Sequence, residues 1–421
     1  MMSDSPANSS SGFAATWQLL LGIGILMIGS GLQSTEISLR ATLEGFSAPV
    51  IGAVMSCYYI GYLLGTATSP RLVRRVGHIR VFAAMAAVAA AAILIQGLFV
   101  EPIVWALLRG VSGLSFAGLF VVTESWLNER AGRATRGALL AIYMVVLYIG
   151  LGSAQFLLIP ANPDTAQPFM LAAVMISLAV VPIALAGQHA PQITVPRAVS
   201  YRELRRNSPL GVVAVTVSGM ITSCVYAMGP LYAERRGLGT AGVATFMGVS
   251  ILAAVLGQYP VGRLSDRVDR RSVMAGVCAL ATFSAAALAI FPHLPRAFFY
   301  ALAALFSAMA FTLYSLGVSH VNDQLEPAQM VAASSALLRL NGLGAAIAPL
   351  LLGSLIARFG AAAYFSFLAS MTGLLTVYDL WRKRRRQPVA AEMKGAYIPA
   401  GPQGLVTRIA ASALAPTTPP Q

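Results

Sequence analysis

The chain has 421 residues, of which 57% are hydrophobic and only 10% are charged. Soluble globular proteins contain about 25% charged residues, so this chain has too little charge to cover a water-soluble particle of its size. Its net charge of +14 would suit nucleic-acid binding, but the arginines stand between long apolar segments and instead fit loops that orient membrane helices. We therefore expect the lipid bilayer as a partner, and no nucleic acid.

Apolar segments long enough to cross a bilayer, which needs about 20 residues, recur along the whole chain. The first is too long for a secretory signal peptide, so we interpret it as a membrane helix. In chain order the predicted spans are 15–39, 49–70, 80–100, 103–126, 137–160, 168–187, 209–233, 241–262, 272–292, 296–320, 330–357 and 361–381. The predicted fold class is an all-α membrane protein with twelve transmembrane helices.

Basic residues are distributed unevenly between alternate loops. One set of loops and the C-terminal tail hold most of the 29 Lys and Arg residues, whereas the opposite set holds only Arg40, Arg235, Arg236, Arg296 and Arg358. Loops rich in Lys and Arg stay in the cytoplasm. We therefore expect a multi-pass protein of the bacterial inner membrane with both termini in the cytoplasm.

The longest polar interruption contains Pro191, Pro196 and four arginines and predicts a cytoplasmic linker. It leaves six spans on each side. The predicted divisions are a disordered N-terminal tail at 1–13, a six-helix bundle at 14–187, the linker at 188–208, a second six-helix bundle at 209–381, and a basic, then Pro- and Ala-rich, tail at 382–421.

The two predicted bundles repeat each other weakly. Residues 125–129 end the fourth span and residues 319–323 end the tenth, and the same sequence offset relates Gly150 to Gly344. Two parallel repeats of six helices are a known architecture of secondary transporters. The repeat therefore predicts two pseudo-symmetric six-helix bundles.

Two arginines lie inside predicted spans, where a charge is costly and usually lines water or pairs with another group. Arg109, in the fourth span, either faces a central cavity, where it binds an anionic group or tunes a proton site, or bonds helix-end carbonyls. Arg339, beside Asn341 in the eleventh span, either contacts substrate or bonds a neighbouring helix. The two arginines suggest an anionic or zwitterionic solute.

Several uncharged polar side chains also fall within the spans. Glu36 and Arg40 are spaced i, i+4, so a local ion pair between them is the default interpretation. Gln33 shares their helix face, so these three residues could also line an outward vestibule. Each of the others bonds either substrate or another helix, and as a group they predict a polar cavity. They are Tyr143, Tyr148, Gln155, Tyr226, Gln258 and Tyr314.

Glu124 lies near the cytoplasmic end of the fourth span. It is separated from Arg109 by roughly 22 Å at 1.5 Å per residue, too far for a direct ion pair. We expect it to pair with Arg75 or Arg80 in one state and to separate in another, as a conformational latch. Direct proton transport by Glu124 is the alternative.

The loop 262–271 resembles the G-x-x-x-D-R-x-G-R-R motif of the major facilitator superfamily, and Arg109 with Gly113 is similar to that superfamily's arginine motif. Asp269 departs from the motif glycine, and Gln155 stands where an antiporter signature would have proline. Segments 124–128, 141–146, 257–264 and 311–314 look like the YcaD-like branch. The resemblance implies the superfamily fold and a carrier that works by alternating access, with a second latch at Asp266, Arg267, Arg270 and Arg271. A basic loop that only anchors the helices is the alternative for these four residues.

The predicted function is secondary active transport of a small solute by rocker-switch alternating access, with proton coupling left open. A transporter-like sensor that carries nothing, or a facilitator without ion coupling, is the alternative. We expect no enzyme activity and no catalytic residues, since no histidine lies deep in a span and no nucleotide-binding loop occurs. No metal site or cofactor is expected, and a monomer is the simplest oligomeric state.

Overall fold

The computed structural model describes residues 7–130, 136–185, 201–384 and Tyr397. Within these residues all regular structure is helical. The helices are α1 (Ala7–Leu43), α2 (Ala48–Val76), α3 (His78–Leu98), α4 (Pro102–Arg130), α5 (Arg136–Ser153), a 3₁₀ helix (Ala154–Leu158), α6 (Gln167–Leu178), α7 (Val180–Leu185), α8 (Tyr201–Asn207), α9 (Pro209–Arg235), α10 (Gly239–Arg267), α11 (Arg270–Ile290), α12 (Arg296–Ala310), α13 (Leu313–Asn322), α14 (Pro327–Phe359) and α15 (Ala363–Lys383).

Eleven helical stretches in these ranges are long and apolar enough to cross a membrane. They correspond to every predicted span except the last. The last span is present as α15, a helix of 21 residues that packs against α11, although Asp379 and several Ser, Thr and Tyr residues make it more polar. The all-α membrane fold is therefore confirmed, and the count of twelve helices is approximately supported.

Three predicted spans are interrupted rather than continuous. The fifth ends in the 3₁₀ helix, the sixth divides into α6 and α7, and the tenth divides into α12 and α13 at Phe311 and Thr312. Backbone groups freed inside a membrane need internal partners. Gln258 Nε2 donates to the Phe311 carbonyl oxygen at 3.2 Å, and Thr312 Oγ1 donates to Met309 O at 2.7 Å. These side chains stabilise the break between α12 and α13.

The predicted domain limits differ locally from the helix limits. Helix α1 begins at Ala7, inside the predicted tail 1–13, and α8 occupies the end of the predicted linker. Residues 188–200 of that linker lie outside the described residues, as do the last two residues of the predicted first bundle and the tail 382–421 after residue 384, apart from Tyr397.

The two bundles are in close contact at one end of the molecule. We call it the arginine-poor end; it carries the α1–α2, α5–α6, α9–α10 and α14–α15 connections. A Cβ added to Gly52 of α2 would stand 2.3 Å from Pro349 O of α14, and one added to Gly353 would stand 2.5 Å from Ala48 O. Ser38 Oγ of α1 donates to an α9 carbonyl oxygen at 2.7 Å. The two halves are therefore closed against each other at this end.

Candidate transport cavity

A central cavity of about 60 Å³ lies between the two halves. Ligand sites usually measure about 300–1,000 Å³, so the cavity is smaller than an ordinary ligand site in this conformation. Helices α1, α2, α4 and α5 of the first half and α9 and α14 of the second contribute to its walls. Four predicted substrate-contacting residues line it: Gln33, Arg109, Tyr226 and Asn341.

Arg109 is the one charged side chain among the residues that line this cavity. It is 3% exposed, and its guanidinium carbon lies 4.5 Å from the centre of the Tyr58 ring. A desolvated cation over an aromatic face is stabilised by about 2 kcal/mol. The Nε atom of Arg109 has no hydrogen-bond partner. The cation is thus held in place by an aromatic ring, with hydrogen-bonding capacity left unused.

Three tyrosines of α2 form an aromatic wall of the cavity that sequence reasoning missed. Tyr58, Tyr59 and Tyr62 all line it, and the Tyr58 and Tyr62 rings stack with centroids 6.3 Å apart. The signal was present in the sequence, since residues 58 and 62 are separated by four positions and lie on one helix face.

The polar residues of the cavity differ in how much hydrogen-bonding capacity they retain. Gln33 Nε2 donates to Ser112 Oγ at 3.3 Å, and Asn341 Nδ2 donates to the Val215 carbonyl oxygen at 3.0 Å. By contrast, the Tyr226 hydroxyl is buried without a partner. Arg109 and Tyr226 therefore offer the unused donors of this site.

A second cavity, of about 330 Å³, separates α5 from α10 and contains the predicted residues Tyr148 and Gln258. Tyr397 lies in the same space. Its hydroxyl donates to Gln258 Oε1 at 2.6 Å, and its backbone N–H donates to Asp266 Oδ1 at 2.7 Å. Burial raises the pKa of the Tyr397 phenol, so it stays neutral and able to donate. Because Tyr397 falls in the predicted C-terminal tail, no sequence pattern indicated this contact.

Four predicted cavity residues are not among those that line either cavity. Tyr143 and Tyr314 are buried among other side chains, and Gln155 Nε2 donates to Gly31 O at 3.2 Å. Arg339 is exposed, because Leu338 occupies the cavity-lining position and successive helix residues point about 100° apart. Gln155 therefore bonds a neighbouring helix, and the Arg339 side chain faces away from the cavity.

The residues of the predicted first-half latch differ in their exposure. Arg75 and Arg80 are exposed, whereas Glu124 is 7% exposed and buried inside the bundle. Arg75 instead lines a surface cavity together with Arg71 and Arg74.

The predicted second-half latch is organised around a residue that was not assigned to it. Arg270 Nε lies 2.8 Å from Asp323 Oδ2 in a buried ion pair, while Asp266 is 3.8 Å from Arg270 Nη2. Arg271 lies 3.5 Å from Asp269, and Arg267 is exposed. Asp323 belongs to the segment 319–323 that takes part in the internal repeat. The repeat therefore indicated this position, but it did not indicate that Arg270 is its partner.

A family model and two relatives each match most of the chain, and all three point to the same superfamily. The family model described as Major Facilitator Superfamily matches residues 19–340 and 245–414. The chain is 28% identical over 384 residues to an uncharacterised MFS-type transporter of Enterobacter sp. (strain 638), covering 88% of this chain and 96% of that protein. It is 27% identical to the uncharacterised MFS-type transporter YcaD of Escherichia fergusonii, covering 88% and 97%.

Solved transporter structures share the same fold. The nucleoside transporter NupG superposes with a TM-score of 0.72 at 14% identity, covering 87% of this chain and 98% of that one. A bacterial homolog to the human lysosomal transporter Spinster, in an inward-facing and occupied conformation, gives 0.72 at 14% identity, covering 93% and 99%. On the family match and the shared fold, the chain belongs to the major facilitator superfamily.

Proposed function

We propose that this protein is a secondary transporter that carries a small anionic or zwitterionic solute through the central cavity by alternating access. The observation that carries the proposal is the Arg109 cation, which lies between the two halves with no carboxylate among the cavity-lining residues. A buried charge without a counter-charge is costly. A negatively charged group bound in the cavity would offset that cost.

The closed arginine-poor end supports the mechanism. If the arginine-rich loops face the cytoplasm, as the charge asymmetry favours, the close contacts at Gly52 and Gly353 seal the cavity from the outside. Rocking of one half against the other would separate these contacts and close the opposite end. The relatives from Enterobacter and Escherichia support a location in a bacterial inner membrane.

A ligand screen with matched arginine variants tests the choice of substrate class. Purified protein is heated with small carboxylates, phosphates and sulfonates, and with neutral and cationic compounds of similar size. A ligand present at 100 times its Kd stabilises the folded state by about 2.7 kcal/mol. We expect anionic hits to stabilise the wild type and Arg339→Gln, whose arginine is exposed, but not Arg109→Gln. Equal stabilisation of Arg109→Gln would refute the assigned role.

Uptake into proteoliposomes separates transport from sensing. Each hit is added to the solution outside vesicles that contain the wild type or Arg109→Gln, with and without a pH gradient across the vesicle membrane. A carrier accumulates or exchanges the hit, whereas a transporter-like sensor binds it without flux. Flux that responds to the solute gradient alone would identify a facilitator without ion coupling.

A further inference from the structure

Helices α5 and α10, which belong to opposite halves, touch at one level and are separated at another. A Cβ added to Gly152 of α5 would stand 2.6 Å from the Leu252 side chain of α10, and one added to Gly248 would meet a ring of the 3₁₀ helix at 2.8 Å. Towards the arginine-rich end, which carries the α2–α3 and α10–α11 connections, the segments 141–148 and 255–266 of the same two helices instead line the cavity of about 330 Å³. The two helices therefore diverge towards this end.

Tyr397 of the predicted C-terminal tail occupies this space from the α10 side. Its hydroxyl donates to Gln258 Oε1 at 2.6 Å, and its backbone N–H donates to Asp266 Oδ1 at 2.7 Å. These two acceptors are eight residues apart, or about 12 Å along the helix. The ring lies over Gly262, where an added Cβ would stand 2.5 Å from Tyr397 Cδ1. Gly262 therefore leaves the room on α10 that the ring fills.

The wall opposite Tyr397 is one face of α5. Ala141, Met144, Val145 and Tyr148 line the cavity, and their spacings of three and four residues place them on the same side of the helix. This face of the first half and the Tyr397 position on the second half lie across the cavity from each other. The tyrosine ring thus occupies the space through which the two helices would approach.

We propose that the space between α5 and α10 is a docking site for the chain's own C-terminal tail, and that docked Tyr397 keeps the arginine-rich end open. This inference rests on the proposed alternating-access function, because it requires the two halves to rock. Closure of the arginine-rich end brings α5 and α10 together across the cavity, so the ring must leave Gly262 first. Docking therefore favours the conformation that is closed at the arginine-poor end, and release of the tail permits the other conformation.

The size of the contact suits a reversible restraint. One intramolecular hydrogen bond changes a population ratio by about 2- to 13-fold. Loss of the Tyr397 hydroxyl, which bonds Gln258, should reduce the preference for the docked conformation by that factor. Loss of the whole ring should reduce it further, because the space over Gly262 is then empty and no longer obstructs α5.

The first experiment tests docking in the full chain in lipid nanodiscs. Azidophenylalanine, which has nearly the shape of tyrosine, replaces Tyr397, and mass spectrometry locates the peptide that it cross-links on illumination. We expect cross-links to 141–148 or 255–266. Gly262→Ala should reduce them, because its Cβ would stand in the place of the ring, whereas Gly276→Ala, where an added Cβ meets no atom within 4 Å, should leave them unchanged. Cross-links absent from both segments would overturn the docking site.

The second experiment measures the opening of the arginine-rich end. Spin labels are attached to Val76→Cys of α2 and Arg206→Cys of α8, two exposed positions, after the three native cysteines are replaced. The α8 label reports on the second half because Leu204 of the same helix is buried against that half. Electron–electron resonance should show a shorter distance that gains population in Tyr397→Ala, and to a smaller extent in Tyr397→Phe.

A second label pair separates rocking from a local collapse. The pair at Ser47 and Ala362 of the arginine-poor end should lengthen in Tyr397→Ala, because each half moves as a unit. A shorter distance at one end without a longer one at the other would mean that α5 only settles onto α10, and it would overturn control of the two ends by Tyr397. Distances that ignore Tyr397→Ala at both ends would overturn it as well.

The outcome is independent of the proposed substrate. Loss of anion binding or flux in the Arg109 experiments would refute the transport function while leaving the effect of Tyr397 on both distances intact. Retained flux of an anionic hit, with distances and cross-links that ignore the Tyr397 and Gly262 variants, would refute the docked tail alone.

Discussion

Replacement of Gly52 by alanine should weaken the closed arginine-poor end. The new Cβ would stand 2.3 Å from Pro349 O and 3.0 Å from Pro349 C, whereas ordinary contacts of such atoms begin at 3.4 Å. Both atoms are backbone and cannot rotate away, so α2 and α14 must separate by about 1 Å. Overpacking of this kind typically costs about 1–3 kcal/mol.

Only the closed conformation bears that cost, because the two helices separate when the end opens. The helix-forming advantage of alanine over glycine, about 1 kcal/mol, applies to both conformations and cancels. A difference of about 1–3 kcal/mol changes a conformational ratio by about 5- to 150-fold. Gly52→Ala should therefore shift the population strongly towards the open form.

Spin labels attached to Ser47→Cys and Ala362→Cys, two exposed positions on opposite halves at the arginine-poor end, measure this shift by electron–electron resonance after the three native cysteines are replaced. Gly276→Ala is the matched control. A Cβ at Gly276 of α11 meets no atom within 4 Å, whereas a Cβ at Gly353 of α14 would meet Ala48 O at 2.5 Å. Gly353→Ala should act like Gly52→Ala, and Gly276→Ala should leave the distances unchanged. If Gly52→Ala lowers thermal stability without lengthening the distance, the contact is static packing and the gating argument fails.

Two further predictions concern contacts at the arginine-rich side. Asp323→Asn should lower the free energy of unfolding, because it removes the carboxylate 2.8 Å from the buried Arg270 and leaves Asp266 at 3.8 Å. A buried charge left with no partner costs about 3–5 kcal/mol, so this is the upper limit of the loss. Chemical denaturation measures it, and Asp269→Asn at a more exposed pair is the control. Tyr397→Phe should lower it by about 1 kcal/mol, since the hydrogen bond to Gln258 is lost. Unchanged stability of Tyr397→Phe would show that its hydroxyl contributes nothing.

The apolar segments alone determined the class of fold, and the repeat with its motifs indicated the family. The need to bury every backbone polar group in lipid leaves helices as the solution for such segments, so length and hydropathy were sufficient. The sequence could not show that the tenth span breaks at Phe311, because that break depends on Gln258 of another helix to satisfy the freed carbonyl.

Which side chains face the cavity was decided by tertiary structure. Periodicity shows which residues share a helix face, but the direction of that face depends on where the neighbouring helices pack. Arg109 and Arg339 look alike in sequence as arginines within spans, yet one lies over the Tyr58 ring inside the molecule and the other is exposed. Local composition determines whether a segment crosses the membrane. Contacts between segments that are distant in sequence determine which atoms surround each side chain.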